Sequence, residues 1–253
     1  MQIRAAALQS GSNGNSIYVE AGGAKLIFDA GISPAMAAKR LASLGRDIKD
    51  VDAVIISHDH SDHVKFAGSY QKKCGLPVYI SMLTLATACE TVKFNPEGVV
   101  HFFPGAAFGI RGAVIRTVPT PHDSADGAAF VISHGGKSMG IFTDLGHVFS
   151  QLEENLELLD AVFIESNYDP SMLAKGPYPP FLKKRISGPR GHISNHESAR
   201  LVKDAKKLRW ACLAHLSETN NTPALALRTH RELGVKIPLV AASRYQASGL
   251  MEV

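Results

Sequence analysis

Apolar residues come in short runs along this chain, and most runs end abruptly in an acid, an imidazole or a glycine turn. Short apolar runs bounded by turn residues read as strands, and stretches with apolar positions three and four apart read as helices. Ile3–Gln9 is the first expected strand, and residues 17–20 and 24–28 form a hairpin across Ala21-Gly22-Gly23. Ser33 and Pro34 open a helix as N-cap and first-turn residue, and it runs to Leu44 and stops at Gly45. Val51–Ile56 is a buried strand, followed by a short helix over 64–74, a strand over 76–80 and a helix over 84–92. Residues 98–134 alternate in β fashion between glycines and prolines. A helix over 150–159 and a strand over 161–164 come next. Residues 175–191, rich in proline, glycine and basic side chains, read as an ordered loop and not a helix. Ser194 or Asn195 caps a helix running to about Leu208. A strand over 210–214, a helix over 223–233 and a strand near 237–241 complete the pattern.

Strands and helices alternate throughout and no linker interrupts them, so residues 1–253 read as one α/β domain. Lys25-Leu26-Ile27-Phe28-Asp29-Ala30-Gly31 has a counterpart in Lys137 to Gly146, where Ile141-Phe142-Thr143-Asp144-Leu145-Gly146 closes the stretch. Each is a basic residue, an apolar strand and an Asp before a glycine turn, a faint internal repeat that suggests two similar halves.

Composition changes this picture little: 45% hydrophobic and 20% charged residues over 253 positions are ordinary for a soluble globular protein. No apolar run approaches the roughly 18 to 20 residues that cross a bilayer. The first residues turn polar too soon for a signal peptide. Cys74, Cys89 and Cys212 are scattered, which fits a reducing cytoplasm and excludes a Cys-x-x-Cys metal site. Charge is more telling. The net charge is only +4, yet residues 175–209 hold ten Lys and Arg against two acids, so that window is +8 and the remainder −4. Such a segment suits a polyanion such as a nucleic-acid backbone, or is simply a solvated helix face.

The chemistry concentrates in Ser57-His58-Asp59-His60-Ser61-Asp62-His63, released straight from the strand before it. His58, His60 and Asp62 share a parity, so an extended backbone points them one way, and His63 joins them if the chain turns after Asp62. Imidazole with carboxylate suits zinc, manganese or iron. The same event recurs, for apolar strands also end in or near Asp29, His122, Asp144 and His215. Two prolines, Pro119 and Pro121, stiffen the approach to His122. His101, His134 and His230 have no motif and read as structural, with His147 and His196 as bystanders.

With those residues in view, the chain resembles the metallo-β-lactamase fold superfamily, marked by a strand-end Asp, a His-x-His-x-Asp-His loop and a later His, Asp and His. The resemblance implies a four-layer αβ/βα sandwich with two divalent metal ions, zinc or manganese, at the rim. It implies His58, His60, His122 and Asp144 on one metal, with Asp62, His63, Asp144 and His215 on the other. Asp29 corresponds to an acid that orients a ligand without touching the metal. Paired cations about 3.5 to 4 Å apart can share a hydroxide and lower its pKa toward neutrality.

Four further stretches look like the YycJ (WalJ) family, related to the RNase Z type of metallo-hydrolase: residues 10–16, Glu165–Asp169, Gly191-His192-Ile193-Ser194-Asn195 and Leu216–Asn221. Tyr168 departs from the His expected there. The small-residue turn at 10–16 either faces an anion or is an ordinary hairpin loop. By resemblance, His192 donates a proton to a leaving oxygen, although a His beside a glycine can also simply bond backbone. The expected activity is metal-dependent phosphodiester hydrolysis on nucleic acid, DNA favoured, with Asp62 and His192 catalytic. Asn15, Asn167, Ser194, Lys183, Lys184, Arg185 and Arg190 are the candidate substrate contacts. A small-molecule hydrolase of thioesters, lactones or cyclic phosphodiesters is the alternative, and a non-catalytic metal-stabilised regulator a third.

Overall fold

The computed structural model describes residues 2–253. Its first half lays down β1 (Arg4–Gln9), β2 (Ser16–Ala21), β3 (Ala24–Phe28), α1 (Pro34–Ser43), β4 (Ala53–Ile55), α2 (Ser61–Val64) and α3 (Ala67–Cys74). There follow β5 (Val78–Ile80), α4 (Met82–Ala88), β6 (Val99–His101) and β7 (Ala107–Ile110). The second half runs β8 (Ala113–Pro119), β9 (Ala128–His134), β10 (Lys137–Phe142), α5 (Ser150–Leu158), β11 (Ala161–Glu165), α6 (Pro170–Lys175) and α7 (Pro180–Ile186). It closes with α8 (Asn195–Asp204), β12 (Trp210–Ala214), α9 (Pro223–Glu232), β13 (Leu239–Ala241) and β14 (Met251–Glu252).

Two seven-stranded sheets result, ordered β14-β1-β2-β3-β4-β5-β6 and β13-β12-β11-β10-β9-β8-β7. In the first, β1, β2 and β3 are antiparallel and β3 to β6 parallel. In the second, β8, β9 and β10 are antiparallel and β10 to β13 parallel. The two halves therefore repeat one plan, and the aligned stretches of the faint repeat are β3 and β10 with the turns after them. Three apolar layers hold the sandwich. Phe28, Ile55, Phe130, Ile132, Phe163 and their neighbours pack between the sheets, with the Phe28 and Phe130 ring centroids 5.0 Å apart. Ile27, Leu41 and Tyr70 pack between the first sheet and its helices, and Leu152, Leu156, Leu201 and Leu213 do the same for the second. Helices, sheet, sheet and helices are the four expected layers.

Some expectations fail: the helix expected to reach about Leu208 ends at Asp204. Residues 175–191 are not all loop, because Pro180–Ile186 is helical. Pro180 stands in the first turn, where a missing N–H costs nothing, so these prolines start a helix instead of breaking one. The basic window is also not one surface. Lys207 and Lys137 pair with Asp160, and Arg209 approaches it at 4.0 Å, at the end of the sheet remote from the histidine loop.

Candidate metal centre

Three of the strands that feed the site, β3, β10 and β12, turn off at a single residue. Asp29, Asp144 and His215 all carry left-handed backbone, with φ of 66°, 57° and 55°. That conformation is sparse for residues with a side chain and tends to be kept where the surroundings over-determine it. Here the glycines of the repeat do part of the holding. A Cβ on Gly31 would stand 1.8 Å from the Asp62 carbonyl oxygen, and one on Gly146 would stand 1.8 Å from that of Pro121. Each half thus presses a bare glycine against its own histidine-bearing loop. The turn expected after Asp62 comes earlier: α2 begins at Ser61 and carries both Asp62 and His63, which brings His63 beside the others.

The seven candidates from His58 to His215 converge. His58, His60 and His122 present ring nitrogens within 4.8 Å of one another, and the ring nitrogens and carboxylate oxygens of His58, His63 and Asp144, and of Asp62, His63 and His215, are as close. His63 Nε2 lies 3.3 Å from Asp144 Oδ2 and His215 Nε2 3.4 Å from Asp62 Oδ2. Several rings are gripped on the side away from the cluster. His63 Nδ1 donates to Asp29 Oδ2 at 2.7 Å, His122 Nδ1 to the Gly191 carbonyl at 2.9 Å and His60 Nε2 to the Asp123 carbonyl at 3.2 Å. Those bonds occupy the outer nitrogens and leave His63 Nε2, His122 Nε2 and His60 Nδ1 turned inward. His58 contacts Ser57 Oγ through Nδ1, and its buried Nε2 has no protein partner. Asp144 Oδ2 is likewise buried with no hydrogen bond. Two orphaned buried atoms amid inward-facing nitrogens and carboxylates are what divalent cations would satisfy, so the donor set fits the expected metals.

The electrostatics agree. Burial would raise the Asp62 carboxyl, but the charge of His63 and the hydrogen bond to His215 hold it far below the usual carboxylate range. Burial also opposes protonation of His215, yet Asp144, Asp62 and Glu165 raise it to about 10. His58, with its largest influences being burial and His63, falls well below an ordinary imidazole.

His192 lies at the rim of the same cluster, its Nδ1 bonded to Glu165 Oε1 at 2.7 Å. Glu165 is fully buried. Its Oε2 accepts the backbone N–H groups of Leu145 and Ile193 at 3.1 Å each, and Oε1 also lies 3.3 Å from His215 Nδ1. Burial works against its charge, but His192 brings its pKa down to about 2. In the sequence Glu165 stands in a polar run with nothing to single it out except its position at a strand end. Asp123, also missed, lines the pocket with Oδ1 3.4 Å from His122 Nε2, and directly follows that residue. The pocket itself is about 150 Å³, lined by Ser12, His60, Asp62, Asp144, Arg185, His192 and His215 among others. A larger groove of about 640 Å³ between α5 and α8 carries Glu153, Glu157, Glu197 and Asp204, and lies apart from the histidines.

Most candidate substrate contacts have other employment. Asn15 is buried and donates to Asp62 Oδ2 at 3.1 Å, and Asn167 donates to the His215 carbonyl at 2.8 Å. Ser194 caps α8 in a reciprocal capping box with Glu197. Lys183 Nζ bonds the Ala174 carbonyl, and Arg190 bonds the His122 carbonyl. Arg185 does line the pocket, 2.7 Å from Asp123, and Lys184 is exposed beside it. Asp29 touches Ser57 and His63 and stands behind the cluster. Tyr168 pairs its backbone with Ser194 and does not line the pocket. His101, His134 and His147 bond backbone carbonyls.

Paired helix-flanked sheets with histidines and aspartates gathered at one rim define a metal-dependent hydrolase. The chain belongs to the metallo-beta-lactamase superfamily, whose family model matches residues 10–210. Within it, the chain is 30% identical over 229 residues to a protein of Bacillus anthracis named exodeoxyribonuclease YycJ, covering 89% of this chain and 87% of that one. It is 33% identical over 228 residues to exodeoxyribonuclease WalJ of Streptococcus pneumoniae, covering 88% and 84%. Among solved structures, the metallo-beta-lactamase fold protein YhfI from Bacillus subtilis superposes with a TM-score of 0.77 at 17% identity, over 100% of both chains. A diphosphatase of the PhnP family gives 0.70 at 16%, over 99% of this chain and 97% of its own. At these identities the solved structures attest the fold. No helix among the described residues is long and apolar enough to cross a membrane.

Proposed function

We propose that this hydrolase cleaves phosphodiesters of nucleic acid, DNA in particular, from a strand end. The observation that carries this reading is His192, held by Glu165 at the rim of a pocket that also contains Asp62, Asp144 and His215, with Arg185 at its mouth. The names of the two relatives point the same way. His58, His60, His122 and Asp144 would hold one cation, and Asp62, His63, His215 and a shared Asp144 the other, with zinc and manganese both suited to the donors. Such cations, when bound, supply an activated water and draw charge from a phosphoryl oxygen.

The chain's own groups supply the rest. The Asp62 contacts with Asn15, His63 and His215 all fall on Oδ2, which leaves Oδ1 to orient a water in the pocket. Glu165 fixes Nδ1 of His192, so the opposite ring nitrogen is the one that can pass a proton to the departing oxygen, a contribution of about 10²- to 10⁴-fold. Arg185 and Lys184 attract the phosphate backbone.

The test is hydrolysis of end-labelled single- and double-stranded DNA and RNA with added manganese or zinc, with Asp62→Ala as the inactive control. Stepwise shortening of DNA supports the reading. His192→Ala should lose at least about 100-fold in turnover with its metal content intact; full turnover would remove the acid role. The small pocket volume also admits a cyclic phosphodiester. Salt-insensitive activity on small esters without DNA binding would favour that second reading.

A further inference from the structure

Phe181 is 74% exposed, more than any other large hydrophobic residue among those described. It stands in the first turn of α7, and Lys184 and Arg185 follow it at three and four positions, so the three share one helix face. All three are exposed. Arg185 reaches the pocket and holds Asp123, which lies 3.6 Å from His60 Nε2. At about 1.5 Å of rise per residue, Phe181 sits about 6 Å along the axis from Arg185, comparable to one step of an unstacked nucleotide strand.

A single exposed phenyl is ordinary surface in general. This one lies on a cationic stripe that leads into the pocket, and that setting matches one kind of occupant. Every nucleobase offers a π-face to an aromatic ring, while lysine and arginine hold the phosphates between bases. Bases inside a duplex already stack on each other, so the ring can meet only an unpaired one. We infer that Phe181 is a stacking platform for an unpaired base adjoining the scissile phosphodiester, with Lys184 and Arg185 on the flanking phosphates, so that the strand end is taken in single-stranded form. The inference rests on the nucleic-acid reading above and names the form of the substrate.

The experiment measures kcat and KM on end-labelled oligonucleotides that are intact or abasic at one of the terminal positions. The variants are Phe181→Ala, Phe181→Leu and Phe181→Trp, with Leu158→Ser as an exposed apolar control on the remote end of α5 and metal content measured for each. In Phe181→Ala and Phe181→Leu, KM should rise about 5- to 150-fold with kcat and metal content unchanged, and Phe181→Trp should restore it. An abasic position should raise KM in the wild type and have little further effect in Phe181→Leu. Stacking is overturned if Phe181→Leu matches the wild type, or if base removal costs both proteins equally. If the wild type cleaves no oligonucleotide, the nucleic-acid reading fails and the stacking platform falls with it; cleavage with an unmoved KM rejects the platform alone.

Discussion

Glu165 shows how much a single buried carboxylate can organise. One oxygen takes two backbone N–H groups and the other holds His192 and approaches His215, so no oxygen is spare. Glu165→Gln would turn an amide N–H against one of those donors. We expect about 1 to 3 kcal/mol of destabilisation, read from urea unfolding. His230, outside the site, makes a pH prediction. It is fully buried, gives Nδ1–H to the Ala226 carbonyl and accepts from Ser198 Oγ at Nε2. Burial pushes its pKa down to about 4. The unfolded chain binds that proton near 6.5 and the folded chain only near 4, so its contribution is complete above about pH 7 and is lost as pH falls through that window. The full loss is on the order of 3 kcal/mol. The unfolding midpoint of His230→Gln should therefore fall less between pH 7 and pH 4.5 than that of the wild type. The seven convergent residues were legible in the sequence because four of them are packed into one loop and the rest end apolar strands. Glu165 was not, since a lone acid after a strand has no companion until folding brings His192 back to it.

Among the elements, α8 and the turn after β3 separate structural from functional roles. Ser194→Ala breaks the capping box and should cost about 1 kcal/mol in stability while leaving metal content unchanged, measured by unfolding and by elemental analysis. Gly31→Ala should do the reverse. Its Cβ would collide with the Asp62 carbonyl, so the α2 turn must shift. The expected result is reduced metal content with the circular dichroism spectrum retained; full metal occupancy would show that the turn yields easily. Most strands were readable from apolar runs, and the caps of α1 and α8 from Ser33 and Ser194 before a first turn. The helical state of 180–186 was not, because proline marks both a break and a beginning, and neighbours in space decide which.

In the whole molecule, the site lies across two halves of one design. Asp29 and His58 to His63 come from the first sheet's loops, and His122, Asp144 and His215 from the second's. Ions bridging them would bind the native state and not the unfolded chain, so chelation should lower the unfolding temperature and added zinc or manganese should restore it in proportion to the logarithm of its concentration. An unfolding temperature indifferent to chelator would count against a cross-half site. The +8 window shows why charge in sequence overstates charge in space: Lys207 and Arg209 serve Asp160 at the far end, and of the window's basic residues Arg185 is the one that lines the pocket. The apolar layer between the sheets then acquires a second meaning. Phe28 directly precedes Asp29, and its ring meets Phe130 from the opposite sheet at 5.0 Å. The layer is a spacer gauge: its thickness sets how far apart the two sets of ligands are held. A smaller residue at Phe130 would leave that gauge hollow, and the sheets, closing only part of the gap, would shift the facing rims with no polar atom altered.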